Sequence, residues 1–260
     1  MSKRIEVNGA ELALERGGEG PAVVFVHGLG GAGSWAAQAK AAREAGFEAV
    51  EIDSRGAGGS SAAPGPYSVE LWAADVIGVI EALGLENPAL VGHSVGCTVA
   101  EHAAVELGAR CRGLALLGGR VSWPEGAEER FEQRARLAED GRLEELAEQV
   151  AQGALTESGR QNPELIRRFR ELFMRNEPRG YAESARATAR GRMRDPKRVR
   201  CAVLAFAGSE DAVTPPEGSE RIAAAVPEGT ATTLTGGAHW CQLELPELVD
   251  GPLLGFLKRL

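Results

Sequence analysis

The chain has 260 residues, 43% hydrophobic and 25% charged, the proportions of a globular protein with one sizeable core. Its formal charge of -8 speaks against a nucleic-acid binder, because phosphate contact needs a basic surface. No apolar run approaches the length of a membrane span. Lys3 and Arg4 are not followed by the apolar stretch of a signal peptide, so a cytoplasmic chain with reduced cysteines is expected.

Taken in order, Ile5 to Val7 and Leu12 to Leu14 flank Asn8-Gly9, a pair that predicts a hairpin and an antiparallel entry to a sheet. Ala22 to Val26 is continuously apolar, as a central strand covered on both faces should be, and it runs into His27-Gly28-Leu29-Gly30-Gly31. A helix from Trp35 to Ala45 and a strand from Glu48 to Ile52 lead to the Gly-rich loop Asp53 to Ser60. Ser68 is placed as N-cap of a helix carrying Val69, Trp72, Val76, Val79 and Leu83 on one stripe. Pro88 to Val91 reads as a buried strand, Val95 to Leu107 as a helix, and Gly113 to Leu117 as another strand. From 120 to 196 the continuous apolar strands give way to Arg- and Glu-rich stretches with helical periodicity, such as Phe131, Ala135 and Ala138, or Leu165, Phe169 and Leu172. Strands resume at Cys201 to Phe206 and Thr230 to Leu234, and an amphipathic helix from Glu247 to Leu260 closes the chain. Strands alternating with helices predict an α/β fold, a mostly parallel sheet with helices on both faces that binds ligands at the carboxyl ends of its strands. The expected division is a core of residues 1–119 and 197–260 with a helical cap inserted at 120–196.

Between the strand at 88–91 and the helix at 95–107 lies Gly92-His93-Ser94-Val95-Gly96, a G-x-S-x-G sequence. A strand reversing into a helix within a few residues strains the central backbone and crowds its neighbours, which calls for small residues at Gly92 and Gly96. Ser94 would then project at the sheet edge as a nucleophile, and it needs a base whose tautomer is fixed by a third group. Of the four histidines, His93 adjoins Ser94 in a tight turn, and His102 lies about 12 Å along the helix axis. His27 and His239 remain, the latter after the turn-rich Thr235 to Ala238. For the third group the loop after the preceding strand offers both Glu210 and Asp211. The Val95 N–H, at the start of the helix, is suited to bind an oxyanion.

The order of these motifs resembles the α/β-hydrolase superfamily over nearly the whole chain: hairpin, His-Gly loop, Asp-x-Arg-Gly-x-Gly-x-Ser loop, G-x-S-x-G turn, helical insertion, acidic loop and late histidine. The resemblance implies a catalytic order of Ser, then acid, then His, which assigns Ser94 and His239. It implies Asp211 as the acid, because the family places an Asp four residues before a Pro, here Pro215. It also implies Leu29 N–H as the second oxyanion donor beside Val95, and a structural role for Arg55 and Ser60. Within the superfamily the pattern is most like capped small esterases and 3-oxoadipate enol-lactonases. The expected activity is therefore serine hydrolysis of a small-molecule carboxylic ester or lactone through an acyl-enzyme, with Trp240 at the substrate.

Two alternatives stand beside this. His239-Trp240-Cys241-Gln242 is similar to a stretch of hydrolases that cleave carbon–carbon bonds in ring-fission products, although their turn commonly carries Asn where this chain has His93. Some members of the fold serve as small-molecule receptors. No cofactor or metal is expected, since Gly28 to Gly31 lacks G-x-G-x-x-G spacing and no ligand set stands out. Residues 120–200 hold 18 basic and 15 acidic residues, so the insertion is positive relative to an acidic body. Such helical faces are usually solvated, but arginines turned into the cleft would favour substrates bearing a carboxylate.

Overall fold

A computed structural model describes residues 2–260. Among the described residues the chain forms eight strands and eleven α-helices. Asn8 and Gly9, at φ 47° and 72°, turn β1 (Ser2–Val7) into β2 (Ala10–Gly17), the left-handed pair that a two-residue hairpin needs. Next come β3 (Ala22–Val26), α1 (Ala36–Glu44), β4 (Glu48–Ile52), α2 (Val69–Ala82), β5 (Ala89–His93), α3 (Val95–Leu107) and β6 (Gly113–Leu117). Five helices follow without a strand of the sheet: α4 (Ala127–Glu139), α5 (Leu143–Ala154), α6 (Glu157–Arg160), α7 (Pro163–Phe173) and α8 (Pro178–Arg190). The chain ends with β7 (Ala202–Gly208), α9 (Pro216–Ala225), β8 (Gly229–Leu234), α10 (Cys241–Glu244) and α11 (Pro246–Leu257).

The strands form one sheet in the order β1-β2-β4-β3-β5-β6-β7-β8. The β1–β2 and β2–β4 pairs are antiparallel and the rest parallel, with Phe25 opposite Val91 and Val91 opposite Ala115. Because side chains alternate along a strand, Val24, Leu90 and Leu114 pack with Val76, Ile80 and Val99 on one face. Val23, Phe25 and Val91 pack with Trp35, Ala39, Val249 and Leu253 on the other. Both faces are covered, which explains the unbroken apolar runs of the central strands. The edge strand β8 instead carries exposed residues along most of its length.

The helices between β6 and β7 have their own apolar cluster of Phe131, Ala135, Leu146, Val150, Phe169, Phe173 and Tyr181. It also takes in Trp240 and Leu243 from beyond β8, so these helices are seated on the strand-end loops. On α7 the buried stripe runs through Leu165, Phe169 and Phe173; the expected Leu172 is only half-buried. Helix caps are as the residue types require. Ser68 Oγ accepts from Leu71 N at 3.1 Å, and Asn162 Oδ1 accepts from Glu164 N and Leu165 N ahead of α7.

Candidate active site

The carboxyl ends of β3, β5, β7 and β8 bring the candidate residues together. Ser94 sits between β5 and α3 at φ 55° and ψ -121°, a strained conformation for a residue with a side chain. The crowding expected of such a turn is present. A Cβ on Gly92 would lie 2.5 Å from Gly96 O, and one on Gly96 would lie 2.4 Å from Val26 O. Gly28 meets the same turn from β3, where a Cβ would fall 2.9 Å from His93 Nδ1.

His239 Nδ1 lies 2.8 Å from Asp211 Oδ2. Asp211 also accepts from Val213 N at 2.9 Å, Thr214 N at 2.7 Å and Thr214 Oγ1 at 2.8 Å. Burial by itself would raise this carboxyl, but the adjacent His239 ring and these donors outweigh it and hold Asp211 below the ordinary range. An ionised Asp211 keeps the proton of His239 on Nδ1 and leaves Nε2 free to take one. The neighbouring Glu210 is exposed and points to no such network. Of the two acids, Asp211 is the one hydrogen-bonded to His239.

Ser94, His239 and Trp240 line one narrow cavity, together with Leu29, Trp123, Phe131, Arg134, Val150, Ala154, Thr188 and Val213. Ser94 Oγ is not hydrogen-bonded to His239 among the described residues, a looseness common in sites without substrate. Val95 occupies the first turn of α3, and Leu29 follows Gly28 in the loop that touches Ser94. Among the described residues neither of their N–H groups donates to a backbone oxygen.

The other histidines are structural supports. His27 Nδ1–H donates to Gly28 O at 2.7 Å, while Nε2 accepts from Ser54 N at 3.0 Å, tying together the loops after β3 and β4. His93 turns away from Ser94: its Nε2–H donates to His239 O at 2.9 Å, and burial pushes its pKa down to about 3, so the ring is neutral. His102 Nε2 donates to Arg192 O at 3.0 Å, where the helical segment returns to the core. Cys241, next to Trp240, is buried in the core with Val249 and Leu253 of α11 and does not line that cavity. Arg55 is spent on a buried bidentate pair with Asp75 at 2.7 and 2.6 Å, and Ser60 Oγ accepts from Ala13 N at 2.8 Å.

Three contributors were given no role from the sequence. Thr214 braces Asp211, and His93 holds the backbone of His239. Asn176, from the end of the helical segment, donates to Gly30 O at 3.2 Å and steadies the loop that carries Leu29. Only the His-Gly-x-Gly spacing and the place of Thr214 three residues after Asp211 could have pointed to two of them.

Among the described residues no group of three or more His, Cys, Asp and Glu is arranged to hold a metal ion, and no helix is long and apolar enough to cross a membrane. RutD of Escherichia coli O103:H2, named as a carbamate hydrolase, is 27% identical over 93% of this chain and 93% of its own. An esterase from Thermogutta terrifontis, solved with malate bound, superposes with a TM-score of 0.91 at 28% identity, covering 100% of this chain and 98% of that one. The enol-lactonase from Burkholderia xenovorans LB400 gives a TM-score of 0.91 at 25% identity, over 98% of this chain and 100% of that one. Residues 21–246 match the family described as alpha/beta hydrolase fold, and the chain, an eight-stranded, mostly parallel sheet with hydrolase relatives along its length, belongs to that family.

Proposed function

We propose that this hydrolase cleaves a small-molecule carboxylic ester or lactone through an acyl-enzyme on Ser94. The observation that carries the reading is the set of contacts around one cavity: a strained Ser94 and His239 share its wall, and His239 is bonded to a buried, ionised Asp211. In this mechanism His239 Nε2 takes the proton from Ser94 Oγ as the oxygen attacks the acyl carbon. The carbonyl oxygen gains negative charge between the N–H groups of Leu29 and Val95, and Asp211 stabilises the imidazolium. His239 then passes the proton to the leaving alcohol, and a water activated by the same base releases the acid. Trp240 supplies an apolar wall at the acyl carbon. The helices of residues 120–196 act as a cap that closes the cavity, since Phe131, Val150 and Ala154 form its far side. A carbamate, as the name of the E. coli relative invites, presents the same kind of acyl carbon and is the second reading.

The test is covalent labelling joined to turnover. A fluorophosphonate should label wild-type protein on Ser94, and Ser94→Ala should lose labelling and at least about a thousandfold in ester turnover while keeping its circular dichroism. Undiminished turnover in the Ala variant would overturn the mechanism.

A further inference from the structure

The wall of the cavity holds one cationic side chain. Arg134, from α4, lines the space that contains Ser94 and His239, and it also lines an adjoining pocket of about 210 Å3 that Arg130 borders. Neither lining contains an Asp or Glu; Asp211 lies behind His239 and is saturated. Elsewhere on the helical segment, arginines find carboxylates: Arg136 and Arg186 meet Glu132, Arg142 meets Glu145, and Arg167 meets Glu164 and Glu171. Arg134 has no carboxylate partner among the described residues.

Its neighbours do not neutralise it. The guanidinium carbon lies 5.5 Å from the centre of the Phe131 ring, and the Tyr181 hydroxyl is beside it. Burial pushes the Tyr181 pKa up to about 12, so that hydroxyl stays uncharged. Thr188 Oγ1, also in the wall, is committed to Ser184 O at 2.7 Å, and the Trp123 and Trp240 indoles offer only uncharged N–H donors. Beyond the groups that act on the acyl carbon, Arg134 is thus the one cationic donor of the wall, and its contact with the Tyr181 hydroxyl leaves further N–H groups of the guanidinium fork without a carboxylate. A half-buried guanidinium with unspent N–H groups pairs best with a planar anion that accepts two of them.

We infer that Arg134 is a subsite for a carboxylate carried by the substrate, so that the cavity takes short esters or lactones bearing a free acid group. The inference rests on the ester or lactone reading above and narrows it.

The experiment compares anionic and neutral esters that differ by one methyl group. Mono-p-nitrophenyl succinate, glutarate and adipate are each paired with the corresponding methyl ester, and 4-acetoxybutyrate is paired with its methyl ester to place the charge on the alcohol side. In wild-type protein at low ionic strength, kcat/KM for the best acid should exceed its methyl ester by roughly ten- to a hundredfold, the worth of a charge-assisted hydrogen-bonded pair. High ionic strength should shrink the ratio. Arg134→Met should bring it to about one, and Arg134→Lys should leave an intermediate value, because an ammonium keeps the charge without the fork. A wild-type ratio of one or less in every pair, or a ratio that Arg134→Met leaves intact, would overturn the subsite. Should Arg134→Met fail to fold, the Lys variant and the salt dependence decide, and an unchanged ratio in both counts against it. Calorimetric binding of adipate, present in wild type and lost on substitution, reads the subsite apart from catalysis. Failure of all esters with Ser94 unlabelled would instead strike at the hydrolytic reading.

Discussion

Asp211, in the loop after β7, is 4% exposed and takes four hydrogen bonds, whereas Arg186 and Arg167 on the helices above it meet their glutamates in contact with solvent. Both regions are rich in charge, but the charge does different things. In the strand-end loops it is desolvated and fixed by backbone donors, so a small displacement of Asp211 would misdirect His239. On the helices it is screened, and the ion pairs chiefly keep an apolar layer soluble while Phe131, Val150 and Ala154 shape the cavity. Geometry that must be held belongs to the sheet, and the walls that choose a substrate belong to the helices. A family can vary the second without disturbing the first.

The largest effect that could break this contrast lies at the acids. Asp211→Asn should lower kcat by about ten-thousandfold, since an amide leaves His239 in the wrong tautomer, while Glu210→Gln should stay within about twofold. Steady-state kinetics on one activated ester checks both, and comparable losses would remove the distinction between a desolvated and a solvated carboxylate.

A middle effect sits at the joint between the regions. Glu101 on α3 accepts from Arg194 N at 3.1 Å, beside His102, where the chain returns from the helices to the core. Burial pushes the Glu101 pKa up to about 7, against the nearby Arg194 and the bond from its backbone. A carboxyl with a raised folded pKa stabilises fully below its unfolded pKa near 4.5 and loses that contribution as pH climbs through about 7. Glu101→Gln removes the titration, so its melting temperature relative to wild type should rise across that window and stay flat above it. The swing is about 3 kcal/mol. Thermal melts across the window test it, and a constant difference would show that Glu101 does not titrate there.

The smallest effect belongs to the solvent side of the helices. Arg186 joins α8 to Glu132 and Glu139 of α4, yet Arg186→Gln should cost less than about 1 kcal/mol and should cost nothing measurable at high salt. A large, salt-independent loss in chemical denaturation would place that network with the buried charges and sharpen the contrast in the opposite sense.

The apolar runs of β3, β5 and β6 and the Asn8-Gly9 turn were legible because local pattern and final environment agree: a strand covered on both faces must be apolar at every position. The turn at Ser94 was legible for a related reason, since the close approach of Gly92 and Gly96 to backbone oxygens admits almost no other residue. Element ends were read less well. β5 runs on through His93, and the last helix stops at Leu257, where backbone pairing and packing decide.

Sequence by itself determined the alternation of strands and helices, the sharp turn at Ser94 and the candidate pool of two bases and two acids, because these follow from spacing along the chain. Tertiary structure decided what spacing cannot reach. Asp211 rather than Glu210 meets His239 because the loop after β7 turns one carboxylate inward onto the N–H groups of Val213 and Thr214 and leaves the other in water. His93, adjacent to Ser94 in sequence, bonds to the backbone of His239 instead, since it ends β5 while the chain breaks out of the strand at Ser94 with φ 55°. And of the many arginines between 120 and 196, the one facing the cavity beside Ser94 is Arg134, a choice made by how α4 is rotated against its neighbours, with Phe131 and Ala135 buried on its inner stripe.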